Sequence, residues 1–196
     1  DGSMVFAIAD HTQVFTGDTA NEVLAVDFTV YGAMFDDTGN MVVSGNAAYA
    51  VRALRQKKNI TLITNSVELL REMTGQDTWH IISTGGSLKT DVLALVGPHA
   101  LRTVRSYHAS YAVLSCRGIN DQLGLADSDD SVVQIKQAMI ASCDHALLLA
   151  DHRKFDREGL VALGDLRTAD KLITDRAPSE LWQKRLEKAG VEIICK

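Results

Sequence analysis

Ile60-Thr61-Leu62-Ile63-Thr64-Asn65-Ser66 is the stretch on which the fold turns. A short apolar, partly β-branched run passes straight into small polar residues, of which Ser66 suits the start of a helix. The same order recurs along the chain. Strands are predicted over Met41 to Val43, Ile60 to Thr64, Trp79 to Ser83, Tyr111 to Ser115, Ala146 to Ala150, Lys171 to Thr174 and Val191 to Cys195. Helices are predicted over Ala47 to Lys58, Ser66 to Thr74, Pro98 to Arg105, Ser131 to Ser142 and Pro178 to Lys188. Short apolar runs alternating with amphipathic ones describe an α/β fold, and strands that are apolar nearly throughout belong to a mostly parallel sheet with helices on both faces. The last helix has Pro178 near its first position and Gly190 just past its end.

Residues 1 to 40 read differently. Apolar and polar residues nearly alternate from Val23 to Tyr31, and Asp36-Asp37-Thr38-Gly39-Asn40 is a turn signal, so an antiparallel ribbon is expected there. This divides the chain into an N-terminal β-rich segment or linker remnant, residues 1–33, and a second unit, residues 34–196.

Of the 196 residues, 46% are hydrophobic and 23% charged, a balance that excludes a disordered chain. The 20 Lys and Arg against 25 Asp and Glu leave a formal charge of −5, which argues against nucleic acid held on a broad basic face. Cys116, Cys143 and Cys195 lie far apart without metal or disulfide spacing. No apolar stretch is long enough to span a membrane, no leader peptide is visible, and a cytoplasmic setting is expected.

Chemistry is expected where strands end. In parallel α/β sheets ligands bind at the carboxyl ends of the strands, and free amides of a helix start attract anions. Ser44-Gly45-Asn46-Ala47, Thr64-Asn65-Ser66 and Gly85-Gly86 stand at such places. Each also has a plainer reading, as a helix cap or a turn. Arg117 with Gly118 follows another strand, Lys136 lies on a later helix and Lys154 comes just after a later strand end with Asp151; Arg117 suits a phosphate bidentately, and Lys136 or Lys154 suits it as a point charge. His80, inside an apolar strand, reads as a core residue. The histidines have no metal spacing, and neither a metal nor a cofactor is expected. No G-x-S-x-G, G-x-G-x-x-G or P-loop motif occurs. Cys116 beside Arg117 reads as a buried small hydrophobe rather than an activated thiol.

In order and spacing, Thr64-Asn65-Ser66, Gly85-Gly86, Gly118-Ile119, Lys136 to Ile140 and Asp151-His152-Arg153-Lys154-Phe155 resemble the C-terminal sensor domain of DeoR/GlpR-type bacterial transcriptional regulators, over roughly residues 34 to 196. The resemblance implies a fold similar to ribose-5-phosphate isomerase and glucosamine-6-phosphate deaminase (NagB-like). It also implies an effector-binding and oligomerisation domain of a repressor that senses a phosphorylated sugar or polyol, and assembly as a dimer or tetramer. By the same resemblance the ligand is held by Ser44 to Ala47, Thr64, Asn65, Ser66, Gly85, Gly86, Arg117, Gly118, Lys136, Asp151 and Lys154, with no catalytic residue.

Two departures stand out. In its first loop the family has an Asp and, one residue on, Gly-Thr-Thr; here Val43 is followed by Gly45-Asn46-Ala47, so two hydroxyl donors are missing. Thr16-Gly17-Asp18-Thr19 is a second candidate for that loop. The family also places a helix-turn-helix domain of about 60 residues before the sensor. Residues 1–33 show no recognition helix, so operator DNA is expected to be met only through a domain outside this chain. Two other readings remain: a sugar-phosphate isomerase-like enzyme using Asp127, Asp129 or Asp130 as a base, and an oligomerisation module with a decayed pocket.

Overall fold

The apolar runs come together as a seven-stranded, wholly parallel sheet. Its order is β14 (Glu192–Cys195), β13 (Lys171–Thr174), β11 (Cys143–Leu149), β8 (Ala109–Leu114), β1 (Val23–Val26), β4 (Thr61–Thr64), β5 (His80–Ser83). The structure, a computed structural model, describes residues 61–75 and 77–195, together with the backbone of β1, β2 (Ala33–Phe35) and β3 (Met41–Val43). The expected helix 47–58 and the loop residues Ser44, Gly45, Asn46 and Ala47 lie outside the described residues.

Helices α2 (Pro98–Arg105), α3 (Asp130–Ala141) and α4 (Glu180–Ala189) pack on one face of this sheet. Ala100 and Val104 of α2 meet Val132, Ile135, Ala138 and Met139 of α3 over Ala112 and Leu114 of β8. Trp182 and Leu186 of α4 cover Leu148, Ala150 and Leu172. The alanines at these contacts let helix and sheet backbones approach closely. The opposite face carries Val113, Leu147, Leu149 and Ile173, each at most 3% exposed, and this burial on both faces is why those strands lack alternation. Among the described residues no helix is long and apolar enough to cross a membrane.

The sequence placed the strands well and their neighbours poorly. Val23–Val26, expected within an antiparallel ribbon, pairs parallel with β4 and β8 in the interior of the sheet. The ribbon exists between β2 and β3, across the expected turn. Met41–Val43 is therefore an antiparallel arm rather than a parallel strand, and residue 34 falls within β2. Two further small assemblies had no sequence signal. One is the hairpin β6 (Ser87–Lys89) with β7 (Ala94–Val96); the other is the antiparallel sheet of β9 (Gly118–Asn120), β10 (Gly124–Asp127) and β12 (Val161–Gly164). Their strands run three or four residues and depend on pairing for their existence.

Strand order marks one place on the carboxyl edge of this sheet for a crevice. From β1 the chain moves out to β4 and β5, then returns across to β8 and proceeds the other way through β11, β13 and β14. The order reverses between β1 and β8, and ligand crevices of open parallel sheets lie at the carboxyl ends beside such a reversal.

Candidate functional site

A cavity of about 380 Å³ opens at the carboxyl end of β8. Ser115, Cys116 and Arg117 continue from that strand; Asp127, Ser128, Asp129 and Val132 come from the end of β10 and the start of α3; Lys154 comes from the single-turn 3-10 helix η1 (His152–Lys154) after β11. Lys89, Asp91 and Val92 of the β6–β7 hairpin complete the lining. Among the described residues the side chains of Arg117 and Lys154 take part in no ion pair and no hydrogen bond. Two cations on one cavity that neither ion-pair nor hydrogen-bond to its carboxylates make a place for an anion.

Beneath them lies a buried pair. Lys136, with no exposed surface, donates from Nζ to the Ser115 carbonyl oxygen at 2.8 Å and to the Asp127 carboxylate. Asp127 also accepts from Ser128 N at 2.8 Å. Burying an ammonium is tolerable only with such partners. Lys136, expected among the phosphate ligands, thus sits below the cavity and not on its lining.

The turn that supplies Lys154 is heavily braced. Asp151 caps it, accepting from Arg153 N at 2.8 Å and from the Arg153 guanidinium at 3.1 Å. Burial raises the Asp151 carboxyl, but the Arg153 hydrogen bonds and nearby Lys154 outweigh this and hold it below the usual range. Asp175 binds His152 twice, accepting from its backbone N at 2.7 Å and meeting Nδ1 at 2.6 Å. Phe155 then packs on Trp182, ring centroids 5.5 Å apart, whose indole N–H donates to Asp156 at 3.0 Å. The Asp-x-x-Lys-Phe run is therefore a cap, a presented cation and a hydrophobic anchor.

The remaining described residues expected at the site lie off the lining of this cavity. Thr64, Asn65 and Ser66 are at most 1% exposed. Ser66 caps α1 (Val67–Glu72), accepting from Leu69 N at 3.2 Å, and Asn65 O accepts from Leu95 N at 2.8 Å. The loop thereby fixes the β6–β7 hairpin, which forms one wall of the cavity. Gly86 has φ +104°, and a Cβ there would lie 2.5 Å from Val96 O; Gly85 faces open space. Gly118 lies in β9, where a Cβ would lie 2.2 Å from Arg157 O. The structure brings Arg117 and Lys154 to the cavity and gives Thr64, Asn65, Ser66, Gly85, Gly86, Gly118 and Asp151 places off its lining.

Lys89 and Asp91 escaped sequence reasoning because their hairpin has no periodic signal. The Asp127-Ser128-Asp129 run was visible, but its duties were not: Asp129 Oδ1 caps α3 through Val132 N at 3.2 Å and accepts from Ser131, while Asp130 meets Gln134 at 2.6 Å. The hydrogen bond from Ser131, and then Lys89, hold the Asp129 carboxyl below its ordinary range despite partial desolvation. His80, expected in the core, is exposed on the edge strand β5. Cys116 is buried as expected, and desolvation pushes its thiol up to about 12.

Against known proteins, a family model described as the DeoR C terminal sensor domain matches residues 43–176. An uncharacterized HTH-type transcriptional regulator, YulB of Bacillus subtilis, is 28% identical over 83% of this chain and 64% of its own length. The glycerol-3-phosphate regulon repressor of Haemophilus influenzae is 27% identical over 73% of this chain and 56% of its own. The repressor GlcR of Bacillus subtilis is 30% identical over 68% and 52%. The chain thus spans between about half and under two thirds of the length of these curated relatives. Ribose 5-phosphate isomerase from Plasmodium falciparum superposes with a TM-score of 0.42 and 10% identity, covering 72% of this chain and 48% of the isomerase.

Proposed function

This chain belongs to the family of the DeoR C-terminal sensor domain, and from that premise we propose that its cavity binds a small phosphorylated sugar or polyol and acts as the effector site of a transcriptional repressor. One observation carries the reading: Arg117 and Lys154, which follow two neighbouring parallel strands, line one cavity, and among the described residues their side chains make no ion pair and no hydrogen bond. A phosphate there meets one planar guanidinium and one ammonium, while Ser115, Ser128 and the carboxylates of Asp127 and Asp129 offer acceptors for sugar hydroxyls.

Binding requires no bond to be made or broken. A ligand that fits one arrangement of domains better than another shifts their populations, and by linkage changes operator affinity in the whole protein. Operator contact through a helix-turn-helix domain outside this chain, assembly as a dimer or tetramer, and a cytoplasmic setting belong to the same proposal. Support for it comes from the names of the relatives, which are repressors by title and include a glycerol-3-phosphate regulon repressor. The carboxylates considered for a base are engaged otherwise: Asp127 with Lys136, Asp129 as a cap, Asp130 with Gln134.

A thermal-shift panel of phosphorylated and unphosphorylated sugars and polyols tests this. One phosphorylated compound is expected to raise the melting temperature by several degrees, and Arg117→Gln with Lys154→Ala to abolish the rise. A panel without response to any phosphorylated compound would overturn the reading.

A further inference from the structure

We propose that Lys89 is a third anion-binding residue of this cavity, held by Asp91 and Asp129 until an incoming phosphate takes it over. The inference rests on the reading of the cavity as a phosphate site. Lys89 ends strand β6 with its Nζ 3.3 Å from the Asp91 carboxylate and 3.2 Å from that of Asp129. All three residues line the cavity that also holds Arg117 and Lys154. The hydrogen bonds it donates to Asp129 and then to Asp91 stabilise the charged form of the amine, so it enters the contest as a full cation.

A phosphate monoester carries about two charges on three oxygens, against one charge on each carboxylate. Placed beside Arg117 and Lys154, it offers the Lys89 ammonium a stronger partner than either Asp. The exchange leaves the fold in place. Asp129 caps α3 with Oδ1 and meets Lys89 with Oδ2, so the cap survives when Lys89 leaves. The hairpin backbone is pinned elsewhere, by Leu95 N to Asn65 O at 2.8 Å and by Val67 N to Leu93 O at 3.0 Å. Only the Lys89 side chain has to move, and Asp129 Oδ2 is then open to a ligand hydroxyl. The carboxylates thus set a threshold: a weakly charged ligand does not displace them, and a phosphorylated one does.

Calorimetric titration of inorganic phosphate into the chain and its variants tests the exchange. Lys89→Gln is expected to weaken binding about tenfold, the loss of one charge-assisted contact, and Lys89→Arg to retain most of it. Asp91→Asn is expected to tighten binding about threefold by removing a competitor, and that gain to vanish in the Lys89→Gln background. Arg117→Gln serves as the control on the underlying reading. Phosphate binding that is weakened by Arg117→Gln but unchanged by Lys89→Gln overturns the role of Lys89 alone. An Asp91→Asn gain that persists without Lys89 overturns the exchange, and phosphate that fails to bind the unaltered chain overturns the site itself. Melting temperatures without phosphate should stay close to that of the unaltered chain, since the ion pairs of Lys89 lie at the cavity rim, with Asp91 65% exposed.

Discussion

The Lys136 ammonium and the Asp127 carboxylate form a contact ion pair at the floor of the cavity, which Asp127 lines and Lys136 does not, and the two side chains retain 0% and 7% of their exposure. The pair joins the middle of α3 to the end of β10, and the second bond of Lys136, to Ser115 O, joins both to the end of β8.

Lys136→Met is therefore expected to leave a buried carboxylate uncompensated and to cost about 3–5 kcal/mol. Replacing both partners with apolar residues of similar volume, Lys136→Met with Asp127→Leu, should restore much of that loss. Urea denaturation measures both. A single variant as stable as the unaltered protein would show that the pair is not what holds these three elements.

Gly86 and Gly85 separate backbone demands from ligand contact. Gly86→Ala puts a Cβ 2.5 Å from Val96 O at a positive φ, and the hairpin and α2 must part to admit it. A loss of about 2–4 kcal/mol is expected, against about 1 kcal/mol for Gly85→Ala, which has a positive φ but open space. Thermal denaturation without ligand compares them, and equal losses would show that close approach does not matter at Gly86.

The cysteines set an alkaline limit. Burial pushes the Cys116 thiol up to about 12 and that of Cys143 up to about 11, above an ordinary thiol. Between the unfolded and folded values the unfolded chain releases protons that the folded chain keeps. Stability is thus fully present below about pH 8.5 and falls as pH rises through the folded values, by up to about 1.4 kcal/mol per pH unit for the fully buried Cys116 and by less for the partly exposed Cys143. Denaturation of the unaltered chain and Cys116→Ala at pH 8 and pH 10.5 should show a smaller decline in the variant. The same burial predicts that Cys116 resists a thiol reagent at pH 7 until the protein is unfolded.

Ligand at 100 times its dissociation constant should stabilise the chain by about 2.7 kcal/mol. At that same ligand concentration Asp175→Ala, which frees His152 and so loosens the turn that presents Lys154, should show a smaller gain while leaving Arg117 in place. Binding as tight in Asp175→Ala as in the unaltered chain would show that Lys154 needs no such brace.

What the sequence by itself determined is local. The apolar runs at Lys171–Thr174 and within Cys143–Leu149, helix Pro98–Arg105 and the Gly190 cap with φ +79° all follow from residue type and spacing over a few positions. The motif residues Arg117 and Lys154 were legible for the same reason, since each stands just past a recognisable strand. Only the tertiary structure decided the rest. That Val23–Val26 is an interior parallel strand, that Lys89 meets Asp129, and that Lys136 lies beneath the cavity with Asp127 all depend on partners brought together by the sheet order. An ammonium on an amphipathic helix has the same local pattern whether it meets water or a buried carboxylate. Desolvation and long-range pairing separate the two, and neither is written in the spacing of residues along the chain.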